Sequence, residues 1–564
     1  MTSFAFSKFD ESDNSGDTRE QRMLKQSLLE VQFKPQTLTQ RILDQIDKYV
    51  WEPILTVFRF GVLVVIFLPV LVSLPMVFFG PKLKGASDRS GAILWYRYLT
   101  WAMEAAGPSF IKLGQWAASR TDIFPEAMCN YMGRLHSMAK RHSFAYTSSQ
   151  IERELGSSID KIFDSFSPTP LGVGAMGQVY TATLEGHPVV VKVLHPGIER
   201  TIRRDLRIMG AFARFINCLP TMEWLSLPGE VETFGTMMMS QLDLRIEAEN
   251  LVIFDRNFAD RPAIAFPQPF TQYTTRTVMV EELVEAVPME SILKYCSNTP
   301  LDHEIASLGL DAFLKMLLID NFIHADLHPG NIMVRVHKAG LDTKQGQQEN
   351  SEIVKKLSAV QSKQEWAEIW SQLQDYAVQV VFIDAGLVTE LRAKDRKNFI
   401  DLFKAIATFD GYRAGELMVE RSRTPETAID PEIFALRTQQ LVDKVKKRTF
   451  ALGSVKLGDL LTSMLHMVRT HHVRMESDFI TVVLSILLLE GIGRQLDPDL
   501  DIFKAAIPIL REVGHSSQDF SLQLNDETLQ MLKVWLILEV RQFIQASIKD
   551  VHRCVRYDLL SPNC

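Results

Sequence analysis

The chain has 564 residues, 46% hydrophobic and 23% charged, which excludes a mainly disordered or collagen-like polypeptide. Lysine and arginine number 61 against 68 aspartates and glutamates, a net charge of −7, so the whole chain is not a polybasic nucleic-acid binder. Mean hydropathy is +0.01, high for a soluble enzyme and low for a multi-spanning transporter, so apolar residues must be concentrated somewhere. Cys129, Cys218, Cys296, Cys554 and Cys564 never form C-x-x-C, which argues against a disulfide framework or zinc ribbon and for reduced, structural thiols.

Residues 1–53 read as a partly disordered tail; Asp10, Glu11, Asp13, Asp17 and Glu20 make it too acidic for a typical transit peptide. Residues 54–80 read as a transmembrane helix. The 20 residues from Phe60 to Phe79 carry no charge, and at ~1.5 Å per residue they span about 30 Å, the thickness of a bilayer core. Pro69 and Pro75 are better tolerated in a membrane helix than in a soluble one; a buried core helix is the competing reading. Lys82, Lys84 and Arg89 follow the run, which favours the following domain on the matrix or cytosolic side.

Residues 92–119 carry apolar positions at helical spacing, and 147–165 reads as a helix capped by Thr147 or Ser148. A strand, turn and strand follow over 172–194, rich in β-branched residues. Helical patterns cover 198–217 and 228–257, and a strand leads into a connector over 275–284. From 301 onward helices dominate. Residues 337–376 read as a polar inserted loop with one helix near 352–375. Residues 527–549 form an amphipathic helix, capped by Asn525 or Asp526, expected to pack on the domain, with a place on a membrane interface as the competing reading.

Four motifs carry chemistry. Gly172-Val173-Gly174-Ala175-Met176-Gly177 lies between strands with no helix opening at the third glycine, which disfavours a dinucleotide fold and favours a phosphate-covering hairpin. Lys192 ends the next strand, where a lysine pairs with α- and β-phosphates. His324-Ala325-Asp326-Leu327-His328-Pro329-Gly330-Asn331 sets Asp326 and Asn331 five apart, the spacing of a catalytic aspartate and a Mg²⁺-binding asparagine. A metal set of His324, Asp326 and His328 competes, but no further ligand completes it; His324 is expected to fix the loop backbone. Asp384 follows an apolar strand in Asp-Ala-Gly and supplies a second Mg²⁺ ligand. Glu247 is the candidate carboxylate partner of Lys192, with Glu249 its rival, and backbone groups near Glu281 and Leu283 would pair with adenine.

These motifs, with Lys112-Leu113-Gly114-Gln115 and the run Glu490-Gly491-Ile492-Gly493-Arg494-Gln495-Leu496-Asp497-Pro498, resemble the UbiB/aarF-domain atypical kinase-like family, over roughly 95–510. The resemblance implies an α+β, protein-kinase-like two-lobed fold: a KxGQ helical extension at 90–166, an N-lobe at 167–285, a C-lobe at 286–515 holding the insert 337–376, and the C-terminal helix within 516–564. It implies ATP and Mg²⁺ as cofactors and an ATPase or unorthodox kinase supporting coenzyme Q biosynthesis or mitochondrial lipid homeostasis. It places the chain at a mitochondrial membrane, the inner one, with membrane lipid, quinone-pathway components or a membrane protein complex as partners and no nucleic acid. Lys112 and Gln115 would sit over the nucleotide and restrain protein phosphorylation. A small-molecule kinase of the aminoglycoside or choline type and a nucleotide-gated pseudokinase scaffold are the alternatives. Two departures stand out: the family's alanine-rich loop is replaced by Gly172-Val173-Gly174-Ala175, and the Glu of its ExD motif, which pairs with the KxGQ lysine, is Gln241 ahead of Asp243. An amide can hydrogen-bond Lys112 but cannot neutralise it.

Overall fold

The computed structural model describes residues 45–82, 89–120, 124–135, 141–218, 227–296, 298–338, 343–360, 362–373, 376–407, 409–422, 425–450, 457–473, 475, 477–498, 500 and 540. The expected tail up to 44 and, apart from 540, the helix at 527–549 lie outside them. The chain forms two compact units: 1–254 with 267–283 and 385–387, and 255–266 with 284–384 and 388–564.

In the first unit the apolar segment begins earlier than expected, as a wide turn Asp47–Trp51 and the helix Glu52–Val72, with Pro69 inside it and a 3-10 turn Leu74–Phe78 at Pro75. Its window Tyr49–Phe78 is long and apolar enough to cross a membrane and only 11% buried, which argues against the core-helix reading. It is not free of the body, however. Arg59 pairs with Asp205, which is fully buried, at 2.8 Å and donates to Ala106 O at 2.6 Å. Glu52 pairs with Arg204 at 2.8 Å, and Trp95 Nε1 donates to Val70 O.

The run at 92–119 is two helices, Ser90–Ala106 and Pro108–Ser119, because Gly107-Pro108 ends one and opens the other. Gly114 of the K-x-G-Q segment packs so closely on the buried Leu135 that an added Cβ would collide with its Cδ1. A short helix Glu126–Met132 follows, and then Phe144–Leu155, starting three residues before the expected cap: Ser143 Oγ accepts from Tyr146 N–H, and Thr147 is buried inside the helix. A short helix Ile159–Ile162 follows.

An antiparallel sheet comes next, ordered Ser165–Phe166, Gly177–Leu184, His187–Leu194, Val278–Glu282, with Gly172–Val173 on the open side of Gly177–Leu184. Its period-two pattern puts Val189, Val191, Val193, Val278 and Val280 into one core with Ile151, Ile159 and Phe163. Each such side chain contributes roughly 1.5–3 kcal/mol relative to exposure. Lys192, between two of these valines, therefore faces the other way. Beyond the sheet's first four strands lie Ile198–Asn217 and, in place of one helix over 228–257, two: Leu227–Ser240 and Leu244–Asn257. Asp243 makes the break by accepting from Arg245 N–H at 3.2 Å.

The second unit holds a four-stranded sheet in which Ile332–Lys338 pairs antiparallel with Tyr376–Phe382, flanked by Val287–Pro288 and Ile264–Ala265. Ile323–His324 pairs with Val388–Thr389. The helix Pro300–Lys315 starts with a capping box of Thr299 and Asp302. The polar insert is not a loop: the strand runs to Lys338, then come helices Thr343–Ala359 and Lys363–Ser371. Trp366 and Trp370, four apart, are stacked and buried, Trp370 Nε1 donating to Asp302, and Asn350 Nδ2 donates to Glu285 O. Helices Ala393–Ala407, Gly411–Glu420, Pro431–Phe450, Leu457–Thr470 and Ser477–Leu496 complete it. The last includes a second window apolar enough to span a membrane, Phe479–Leu496, but 56% of it is buried, as in a core helix.

Candidate active site

In the first unit the glycine segment folds as a tight hairpin: Gly174 N–H donates to Gly177 O at 2.9 Å, and Met176 O accepts from His195 N–H. Gly177 must be glycine, since a Cβ would meet the backbone of Val193 across the strand pair. Around Gly172 nothing lies within van der Waals reach of such an atom, and around Gly174 only Gly177 O does, so these two leave the backbone open to an anion. Ala175 is buried.

A network that sequence reasoning missed holds this hairpin. His195 Nε2 donates to Gly174 O at 2.9 Å, and His195 Nδ1 lies 2.8 Å from His142 Nδ1. His142 continues to Thr147, Thr147 to Tyr180, and Tyr180 donates to Gln178. Burial, and then the neighbouring His195, push His142 down to about 4. Burial also lowers His195, against the hydrogen bond to Gly174. Scattered single histidines offer no spacing signal by which sequence could find them.

Lys192 Nζ lies 2.5 Å from Glu247 Oε1, so Glu247 and not Glu249 is the partner the structure supplies. A second carboxylate joins it: Glu281 Oε1 lies 3.0 Å from Nζ. Glu281 sits within the strand Val278–Glu282, opposite Val190 and bridged to Pro269. Leu283 N–H donates to Pro188 O at 3.1 Å, so the amide expected to meet adenine is already used.

The KxGQ helix is anchored differently from the expected clamp. Gln115 Nε2 donates to Leu135 O at 3.0 Å. Arg120 pairs with Glu230 at 2.6 Å, both buried, and its guanidinium lies over the Trp116 ring. Gln241 Oε1 is buried without a partner among the described residues, and Asp243 is engaged by Arg245 at 2.7 Å. Among the described residues of this unit, then, Lys112 is not held by either of the two ExD positions.

In the second unit the loop 324–331 is a local structure. His324 is fully buried, and its Nδ1 accepts from Asp326 N–H at 3.2 Å. Asn331 Nδ2 donates to Asp326 O at 3.0 Å, so Asp326 is fixed by both backbone groups and its carboxylate is left to chemistry. Asn331 Nδ2 is thereby used, and Oδ1 is the acceptor its side chain has left to offer. Asn331 O accepts from Ile383 N–H at 2.9 Å, which ties this loop to the strand that ends at Asp384. Asp384 itself takes a left-handed backbone, φ +66°, tolerable for an aspartate. Burial lowers His324, opposed by Asp326, Asp384 and a hydrogen bond to the Asp384 backbone. His328 Nδ1 accepts from Gly330 N–H, so both histidines serve the backbone. No group of three His, Cys, Asp or Glu suited to a metal occurs among the described residues. One asparagine oxygen and one carboxylate suit Mg²⁺, which takes few protein ligands and completes its shell with water and phosphate.

Residues 134–418 match the ABC1 atypical kinase-like domain, and residues 439–501 match the UbiB helical domain. The mitochondrial ABC1 family protein YPL109C of Saccharomyces cerevisiae is 48% identical, covering 91% of this chain and 83% of that protein. The mitochondrial ABC1 family protein C21C3.03 of Schizosaccharomyces pombe is 42% identical, covering 89% and 77%. The probable protein kinase UbiB of Aeromonas hydrophila is 30% identical, covering 72% and 68%.

Proposed function

Because the chain belongs to the ABC1/UbiB atypical kinase family, we propose that it is a mitochondrial, membrane-anchored ATP-binding protein that splits ATP with Mg²⁺, as an ATPase or an unorthodox kinase. The observation that carries this reading is the Lys192–Glu247 ion pair at 2.5 Å, one sheet strand from an open glycine hairpin. Lys192 holds phosphate oxygens and Glu247 orients Lys192. The glycine hairpin, left open at Gly172 and Gly174, covers the phosphates. Asn331 Oδ1 and the Asp384 carboxylate hold Mg²⁺, which neutralises charge developing on the phosphates. Asp326, its backbone pinned at N–H and C=O, orients and accepts the proton of the attacking hydroxyl or water.

The exposed apolar helix supports anchoring in a membrane, and the membrane proposed is the mitochondrial inner one. The names of the two fungal relatives support the organelle. The role is support of quinone synthesis or lipid homeostasis, with membrane lipid, quinone-pathway components or a membrane complex as partners. Mg²⁺-dependent ATP binding and turnover in the purified protein and in Asp384→Asn test the site. Equal binding and turnover in both would remove Asp384 from the metal. Lipid profiling of a deletion strain with fractionation tests pathway and compartment together.

A further inference from the structure

We propose that Glu281 is a positioning residue for Lys192: a second carboxylate that holds the ammonium back from a nucleotide's phosphates until the nucleotide displaces it. The proposal rests on the ATP-binding reading above and deepens it.

Three observations carry it. The first is donor arithmetic. An ammonium has three protons. One is directed at Glu247 and one at Glu281, at 2.5 and 3.0 Å, so at most one remains for phosphate oxygens. Contact with both an α- and a β-phosphate then requires Glu281 to let go.

The second is charge. Lys192 meets two carboxylates, and the side chains of Lys192, Glu247 and Glu281 are only 18%, 10% and 6% exposed. With so little water to screen it, a second carboxylate holds the ammonium strongly and repels an incoming polyphosphate.

The third is register. Lys192 faces Met279 and Val190 faces Glu281, so Glu281 is the diagonal neighbour of Lys192 on the same sheet face. Its backbone is paired to Val190 on one side and bridged to Pro269 on the other. Only its side chain can swing, which makes it a release element and not part of a moving strand.

The test uses the full-length protein and two readouts. One is the Kd for Mg·ATP. The other is the rate at which an amine-directed acylating reagent labels Lys192 without nucleotide, followed by peptide mass spectrometry at one fixed pH. Glu281→Gln keeps the shape and removes the charge. It is expected to bind Mg·ATP about tenfold tighter and to label about tenfold faster. Glu281→Met should move both readouts the same way and serves where Gln fails to fold. Glu247→Gln should also label faster yet bind Mg·ATP more weakly, because it removes the orienting partner. Wild-type labelling with unchanged or weaker ATP binding in Glu281→Gln would overturn the proposal. Absence of saturable Mg·ATP binding in the wild type would overturn the nucleotide reading instead. The labelling ratio would then still decide whether Glu281 restrains Lys192.

Discussion

The surroundings of Lys192 and the loop around Asp326 are built in opposite ways. Lys192 is met by carboxylates from a helix and a strand remote in sequence, Glu247 and Glu281. Asp326 is held by His324 and Asn331, its near neighbours along the chain. The first is a set of long-range ion pairs whose quality depends on sheet register and helix placement. The second is a folded loop that carries its own geometry. A site assembled from afar can be tuned by distant residues, whereas a local loop is sensitive chiefly to its own members.

The sharpest way to break this contrast is Asp326→Asn. Turnover is expected to fall about a thousandfold, within the range for losing a general base. Mg·ATP affinity should stay within about twofold, since no phosphate contact is touched. Single-turnover rates beside binding isotherms check it, and a matching loss of affinity would show that the loop is not self-contained.

Next in size is Arg120→Met, far from Lys192 in sequence but in the same unit. It takes the guanidinium away from the buried Glu230, at a cost of about 3–5 kcal/mol in denaturant unfolding. Adding Glu230→Gln should recover most of that loss. A double variant as unstable as the single one would deny that the pair acts as a unit.

Gly177→Ala forces a methyl against the Val193 backbone and should cost about 2 kcal/mol. Hydrogen exchange should rise over 177–194 and stay unchanged over 323–331. Equal rises in both segments would erase the distinction drawn above.

The smallest effect is that of pH on the glycine hairpin. His142 and His195 have folded pKa values below their ordinary one, so the unfolded chain takes up protons first. Stability is full above about pH 6.5 and is lost as pH falls toward about 4, where His142 titrates. Exchange over 172–177 followed from pH 7.5 to 5 should quicken, and His195→Asn should flatten the trend.

The same contrast explains what could be read from sequence. Asp326 and Asn331 were legible because their relation is a spacing of five. Glu247 was the candidate with Glu249 its rival until the helix Leu244–Asn257 was placed, and Glu281 looked like a connector residue because strand register is not written in a single strand. Broad elements were legible from periodicity, but breaks were not. Gly107-Pro108 divides one apolar run, Asp243 another, and Ser143 takes the cap assigned to Thr147 or Ser148. The insert hid its structure in polar composition, since its buried face is a sparse set, Ile353, Leu357, Val360, Trp366, Trp370 and Leu373, spread over two helices and their ends. The two histidines behind Gly174 carried no signal at all.

The apolar helix Glu52–Val72 has a thermodynamic consequence. It is joined by Arg59 to a fully buried Asp205 on the helix that follows the Lys192 strand, so it belongs to the same folding unit as that strand. Any amphiphile that prefers its exposed face in the folded state is therefore a stabilising ligand of that unit, by mass action. Bilayer composition becomes a variable in the melting temperature of the unit that holds Lys192. Trimming residues 45–79 to gain solubility would strand the Asp205 carboxylate and weaken the very unit it was meant to liberate.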